Sequence, residues 1–583
     1  MAVGEDNPLA TAVGDSGVVA DETPPKVEGE HEEATKTTAV HEEAELAGTR
    51  RLFHRDPVTG QLTENIVLSP TPTKSPNDPL NWASWRKIWH ASLVLFITGF
   101  TAATSNDAGA AADALLGELG IAYSVANTAA GVLFIGIGYW ALLGSPMPTL
   151  YGRRLQYFVC LLWSIIGSIW FARIMNVQDS IWCQLFVGAS ESCAEALAQQ
   201  SLSDLFFEHR RGLVLGLYVL ATSIGTFLGP LVAGYVAIWD WRWVGWCTVI
   251  ISAATFVVFF FGLEETSFDR NVFLGHRHSV HHEKDIAPAD ETIRDGKNAP
   301  YREEAGDLGH IDSETGQPID QQKPYLKRIA IITPAPNLIG WGFKQYIQRL
   351  GHILRVFTLP AVIFAGLQWG AQDAWLTFYL TVEEDNYYGR PWRYGNAAVN
   401  ILNVPTLIGS VIGCIYGGWF SDFFVQWISK RYRGGMTEAE DRLWLLLLSA
   451  IISPAGLMLF GIGSGHGWQW DSNPGAYIGL GMIGFGWGCA GDLSMAYLMD
   501  AYPEIVLEGM VGVAVINNTL ACIFTFTTSL WLEASGLSGT FIGIGVLSLF
   551  FQLLTVPMIY WGKACRRRTA AKYQRFLYVR DGR

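Results

Sequence analysis

Charge is what this sequence is shortest of. Asp, Glu, Lys and Arg make up 16% of its 583 residues, against 50% hydrophobic ones, where a soluble domain carries about 25%. Cysteine is scarce as well. There are eight, and Cys160, Cys183, Cys193, Cys247, Cys414, Cys489 and Cys522 all fall in apolar runs with no CxxC pair. They read as buried thiols, which leaves no zinc-ribbon spacing and no disulfide framework. No GxxxxGK[ST] loop occurs, so an ATP-driven pump built on a P-loop is excluded, and no HExxH marks a metalloenzyme. Histidine is missing from the interior of every long apolar run, His90 at the edge of the first excepted. The four histidines of HRHSVHH (276–282) belong to a polar loop without a cysteine and read as solvated. The composition therefore points to no metal or other cofactor, and not to an enzyme.

What is abundant is apolar sequence in uninterrupted runs. Twelve are long enough for a helix of about 20 residues to cross roughly 30 Å of hydrocarbon. They lie near 88–107, 126–145, 155–174, 180–202, 213–236, 243–263, 357–380, 397–419, 443–464, 476–499, 509–531 and 538–562, and are numbered as spans 1 to 12. The fold class that follows is all-α integral membrane. With the N-terminus in the cytoplasm, only Arg173, Arg242, Arg390 and Arg393 of the 40 Lys and Arg fall outside, as the positive-inside rule requires. Both termini are then cytoplasmic.

The organisation follows from the same pattern. Residues 1–87 read as a disordered cytoplasmic tail, because 1–46 hold twelve acids against Lys26 and Lys36 and cannot bury a core. This tail supplies much of the net charge of -13, and nothing suggests nucleic acid. Residues 88–266 form one six-helix bundle and 357–562 a second. Between them runs a cytoplasmic linker, 267–356, with an interfacial helix near 338–352 that sets Ile339, Phe343, Ile347 and Leu350 against Lys344, Gln348 and Arg349. The basic tail 563–583, with Arg566, Arg567 and Arg568, is expected to meet anionic lipid headgroups.

Several short stretches carry a resemblance. GSPMPTLYGRRL (144–155) follows span 2, and GGWFSD (417–422) follows span 8. Both resemble the GxLaDrxGrk loop of the major facilitator superfamily, each in part. Gly152, Arg153 and Arg154 match in the first, where Thr149 stands in place of the Asp; Gly418 and Asp422 match in the second. In span 5, GTFLGPLVAG (225–234) resembles the antiporter signature gxxxGPxxGG at Gly225, Gly229, Pro230 and Gly234. SPNDPLNWASWRK (75–87), SDLFFEHRRG (203–212) and MDAYPE (499–504) look like a fungal branch of the drug:proton antiporters, whose relatives include polyamine and other cation carriers. The resemblance covers about 65–565. It implies two six-helix bundles rocking about a central cavity, a functional monomer in the plasma membrane, and proton-coupled export of small organic compounds such as drugs, toxins or secondary metabolites. The alternative is uptake of a cationic nutrient such as a polyamine. One departure matters: span 4 has Gln184 where the family carries an Arg, so coupling through that Arg cannot be transferred.

The polar residues inside spans are the candidate site. In span 4, Gln184, Gly188, Glu191, Glu195 and Gln199 are spaced to share one helical face. A carboxylate at mid-membrane costs about 2.5–3.5 kcal/mol on insertion scales, so that face is expected to meet a cavity. Gln368, Gln372, Trp375 and Tyr379 make a similar stripe on span 7. Asp492 with Trp487 and Tyr497 on span 10, Asn517 and Asn518 on span 11, and Asn400 and Asn403 on span 8 complete the set. A carboxyl closed in an apolar cavity holds a proton and releases it when opened to water, which makes Glu191 and Glu195 the proton-coupling or cation-binding candidates.

Overall fold

The structure is a computed structural model that describes residues 46–55, 62–268, 270, 321–335, 338–387 and 390–581. The histidine run 276–282 lies outside the described residues, as does the tail before residue 46. What is described is almost wholly helical, because in hydrocarbon a helix satisfies its own backbone N–H and C=O groups.

Spans 1 to 6 are Ser84–Ala110, Tyr123–Gly144, Arg153–Phe171, Val177–Ser192 continuing through Cys193–Ala198 and Gln199–Leu205, Arg211–Ala237, and Arg242–Gly262. Spans 7 to 10 are Pro360–Asn386, Asn403–Ile415 continuing through Tyr416–Phe420 and Ser421–Tyr432, Leu443–Gly465, and Gly475–Ala501. Spans 11 and 12 share the helical stretch Val506–Leu553, broken at Gly536 with φ 66° and ψ 172°. The chain reverses there, for Thr540 Oγ1 donates to Trp531 O at 3.1 Å.

Among the described residues, eight helices are long and apolar enough to cross a membrane, and nine if the pair Phe343–Thr358 and Pro360–Val382, bent by 82°, is one span. One of the eight, Pro503–Arg580, contains both spans 11 and 12. The remaining two expected spans, 4 and 10, are present as helices but are too polar or too rich in glycine to reach that apolarity. Span 1 packs on 5, span 2 on 4, and spans 3 and 6 on each other within the first half; in the second, 7 packs on 11, 8 on 10, and 9 on 10. Spans 2 and 11, and 5 and 8, join the halves.

The N-terminal segment departs from expectation. Instead of disorder through residue 87, the chain is folded from residue 46. Strand β1 (Thr49–Arg51) pairs antiparallel with β4 (Met436–Glu438) after span 8, and β2 (Phe53–Arg55) with β3 (Leu62–Ile66). Asp78 caps a short turn at Pro79–Asn81 through Leu80 N, and also accepts from Thr73 N and Oγ1. Composition describes what a segment can bury by itself; here the partners of residues 47–51 are distant in sequence.

The interfacial helix is Phe343–Ile353. Trp341 is 92% exposed, and Phe343 and Ile347 are also exposed, an apolar face suited to lipid. The basic tail differs from expectation at one residue. Arg566 is buried, with Nη2 donating to Glu438 Oε2 at 2.9 Å and Glu440 Oε2 at 2.6 Å, so it is not available to lipid.

Candidate functional site

Span 4 sets the geometry. Asn176 caps its start by accepting from Asp179 N at 2.9 Å, and the helix runs regularly to Ser192. At Cys193–Ala198 it widens into a π turn, a feature frequent at functional sites. The extra residue in that turn rotates everything after it, so the expected single face is not kept. Gly188 faces span 2, where a Cβ would stand 2.2 Å from Leu133 O. Gln199, beyond the π turn, donates to Met495 Sδ of span 10 at 3.3 Å and is buried.

On the face opposite the folded N-terminal segment, a cleft opens between the halves. Ser105, Asn127, Gln184, Pro230, Thr377 and Asn403 line it, one from each of spans 1, 2, 4, 5, 7 and 8. Deeper than Gln184 along span 4 come Glu191, beside Ser105, and then Glu195, beside Asn517. One turn deeper than Thr377 on span 7 comes Asp373, whose Oδ1 accepts from Trp487 Nε1 at 2.8 Å. The charged neighbours of Glu195 are Asp373 and Glu191, and Tyr218 of span 5 stands near all three. No Lys or Arg among the described residues is a charged neighbour of this group. Glu191 is buried, while Glu195 and Asp373 keep part of their surface open. Aromatic rings wall the site, with Trp487 4.7 Å from Trp369 and 5.8 Å from Phe227 between ring centroids. Such a group can hold protons or a desolvated cation.

Asp373 was absent from the expected set, although an acid in mid-span was visible in QWGAQDAW. The stripe chosen on span 7 starts one residue too early. Gln368 Nε2 donates to Phe551 O at 2.6 Å, Gln372 Oε1 accepts from Ser453 Oγ at 3.0 Å, and Trp375 packs on Phe524 at 5.2 Å. All three point into their own half, not into the cavity, because one residue turns a helix by about 100°. Asn518 also departs: its amide donates to Ala514 O of its own helix at 2.8 Å, and its Cβ packs against Gly138 of span 2. Asp492 is fully buried away from the cleft. Its Oδ2 lies within 3.1 Å of the positions that a Cβ would take at Gly216, Gly417 and Gly418.

Those glycines lead to a second assembly, at the opposite end of the seam. Asp422 Oδ1 accepts from Gly212 N at 3.0 Å and Oδ2 from Leu213 N at 2.9 Å, so the C-terminal half caps the start of span 5 in the N-terminal half. Arg442 Nη2 donates to Asp422 Oδ1 and its Nε to Asp500 Oδ2, both at 2.7 Å. Arg211 Nη1 reaches Asp500 Oδ1 at 2.8 Å, and its Nη2 reaches Glu208 Oε1 at 3.2 Å. Arg50 of β1 then pairs with both Glu208 and Asp500. Three guanidinium groups and three carboxylates thus bind the halves together and seal this end. Gly418 permits the contact, for a Cβ there would sit 3.0 Å from Gly212 O.

The first loop copy does something different. Gly152 turns with φ 95°. Arg153 pairs with Asp204 and donates to Thr266 Oγ1 at 3.1 Å; Arg154 donates to Phe260 O at 2.8 Å. Thr149 Oγ1 donates to Pro146 O at 3.0 Å. These contacts stay within the N-terminal half. The glycines of the span 5 signature are closely packed: a Cβ at Gly225 would be 2.0 Å from Gly99 O, and one at Gly229 2.7 Å from Ala103 Cα. Gly234 is buried in the same helix.

Two six-helix halves, a cleft between them and a loop copy that latches one half to the other invite comparison with known proteins, and residues 91–525 match the Major Facilitator Superfamily. The chain belongs to the major facilitator superfamily. It is a transporter of that type, in a membrane, and several fungal proteins are similar to it. An MFS-type transporter of Schizosaccharomyces pombe is 50% identical over 531 residues, covering 89% of this chain and 91% of the relative. Protein HOL1 of Saccharomyces cerevisiae is 48% identical over 551 residues, covering 89% and 93%. MFS antiporter QDR3 of Candida albicans is 24% identical over 524 residues, covering 77% and 73%. The superfamily's fold is seen as well in the proton:xylose symporter XylE, with a TM-score of 0.55 at 11% identity over 82% of this chain and 97% of that one.

Proposed function

We propose that this chain is a proton-coupled carrier of organic cations, amines above all, working by alternating access as a monomer in the plasma membrane with both termini cytoplasmic. The observation that carries this reading is the meeting of Glu191, Glu195 and Asp373 with no Lys or Arg among the described residues beside them. Unpaired acids in mid-membrane need a proton or a mobile cation as partner. If the two compete for the same carboxylates, movement of one drives the other.

Two directions follow. Proton-driven export of a small organic compound is favoured by the span 5 pattern and by a relative named as an antiporter. Uptake of a cationic nutrient such as a polyamine is favoured by the number of acids, since three carboxylates suit a cargo with several positive charges. The finer site is Glu195 and Asp373, with Glu191 behind them; Asp422 with Arg442 acts as the gate. Sealed vesicles containing the purified protein, given a labelled polyamine or a labelled neutral drug under an imposed pH gradient, test the reading. Saturable flux of the amine that follows the gradient is the expected result. Flux of the neutral compound alone would overturn the cation assignment.

A further inference from the structure

The two seams of the gated end are unlike. At one, Asp422 reaches the start of span 5. At the other, the corresponding parts are the loop after span 2 and the start of span 11, and they face each other across a cavity instead of a latch. Thr149 lines it from the N-terminal half, Arg349 and Arg355 from the interfacial helix and the turn after it, and Glu508 and Arg580 from the C-terminal half. A second cavity adjoins this one, sharing Arg355 and Phe576, and adds Lys572 and Arg575. Its volume is about 280 Å³, close to the lower end of the ~300–1,000 Å³ of small-molecule sites.

Charge sets this cleft apart. In the gate, Arg50, Arg211 and Arg442 each have a carboxylate partner, and Arg566 has two. Arg355, Lys572 and Arg575 line one small cavity from two separate elements, and none forms an ion pair with a described residue. No acid among the described residues lines that cavity, and Leu359 and Phe576 give it an apolar floor. Beside it, Phe343, Ile347 and Leu354 are exposed on the interfacial helix and its extension, a face that rests on lipid. A ligand for this place carries concentrated negative charge and arrives at the level of the headgroups.

We propose that the cleft between the interfacial helix and the C-terminal helix binds the phosphomonoester-bearing headgroup of a phosphoinositide lipid. Arg355, Lys572 and Arg575 take the phosphate oxygens, and the acyl chains run along the apolar face. The bound headgroup ties the end of the linker to the C-terminal helix. Arg355 stands five residues before Pro360, where span 7 begins, so the lipid also fixes the entrance of the helix that carries Asp373. The proposal is independent of which cargo is moved and in which direction.

Thermal unfolding of the full chain in nanodiscs tests it. The discs contain phosphatidylcholine alone, or with a minority of phosphatidylinositol 4-phosphate or of phosphatidylserine. The phosphoinositide should raise the melting temperature. The combined variant R355Q/K572Q/R575Q, altered at exposed residues outside the gate, should melt like the wild type in phosphatidylcholine and need about 100-fold more phosphoinositide for the same rise, at the loss of three phosphate contacts near a membrane surface. An equal rise in both proteins, or none in either, overturns the site. So does an equal rise from phosphatidylserine, which would reflect surface charge only. Soluble inositol 1,4-bisphosphate added to phosphatidylcholine discs separates the sources: a rise as large as the lipid's assigns the cleft to a free phosphate ester and overturns the lipid assignment.

Discussion

Trp487 Nε1 donates to Asp373 Oδ1 at 2.8 Å, joining span 10 to span 7 beside Glu195. The indole can satisfy one oxygen only, and the carboxylate's other hydrogen-bonding neighbour is the amide of Asn517. A cation that docks there gains a charge-assisted contact of about 1.5–3 kcal/mol. Asp373→Asn should therefore lower kcat/KM for an amine by about 10- to 100-fold, with normal amounts of folded protein. Trp487→Phe, which removes a neutral donor and keeps the charge, should have the smaller effect. Initial rates of amine flux for both variants check the order.

Glu195 has two carboxylate neighbours and an amide, Asn517, beside it. It is the acid through which proton and cargo can exchange most directly. Glu195→Gln should abolish the response of transport to an imposed pH gradient while the protein stays folded. Flux measured across a range of external pH decides this; a wild-type profile in the variant removes Glu195 from the coupling step.

The gate yields to a different experiment. Arg442 and Asp422 are both buried, and Arg442 also holds Asp500 and Ser421. Removing one partner of a buried pair costs about 3–5 kcal/mol, and here the carboxylates left without Arg442, Asp422 and Asp500, are those that reach Gly212, Leu213 and Arg211 of the other half. Arg442→Ala should favour the state open at the gated end. Cys414, buried on span 8 next to the glycines of the seam, then gains reactivity toward a thiol reagent supplied from that side. Arg442→Lys should restore part of the protection. Unchanged labelling in Arg442→Ala would show that the network does not hold the halves closed.

Much of the architecture was legible because a chain in hydrocarbon has few choices: runs of apolar residues must be helices, and their Lys and Arg sort by side. The limits were those of register and distance. A regular helix through span 4 assigns Gln199 to the face of Glu191, whereas the π turn at Cys193–Ala198 separates the two. On span 7 the polar stripe Gln368, Gln372 and Trp375 looks like a cavity face but is hydrogen bonding and packing inside one half, and the useful acid stands next to it. Nothing local in TRR at 49–51 reveals that its partners are Glu208, Glu438 and Asp500.

Close packing in span 5 gives a test of what its glycines are for. A methyl group at Gly225 would stand 2.0 Å from Gly99 O, a backbone atom that cannot rotate aside. Gly225→Ala should force spans 1 and 5 apart, with an overpacking penalty of about 1–3 kcal/mol and a lower melting temperature. Pro230 lines the outer cleft, and Pro230→Ala should alter transport more than stability. A Gly225→Ala protein that melts normally yet loses proton coupling would instead assign the pattern a direct part in antiport.

The folded N-terminal segment carries a pH dependence of its own. Burial works against the charge on Glu438, but Lys563, Thr49 and Arg566 outweigh it and hold this carboxyl below its ordinary value of 4.5. For an acid lowered in the folded state, the stabilisation is complete above the unfolded value and is lost as pH falls through the folded one. The pairing of Thr49–Arg51 with Met436–Glu438 should then be constant from neutral pH down to about 5 and weaken below about 4. Hydrogen exchange in residues 46–52, corrected for intrinsic rates, reads this directly. Glu438→Gln should exchange faster at neutral pH and lose the acid limb, because the group whose protonation opens the strand is gone. Protection that falls equally in both proteins would place the pH sensitivity elsewhere, with Glu208 and Asp500 around Arg50 the next groups to replace.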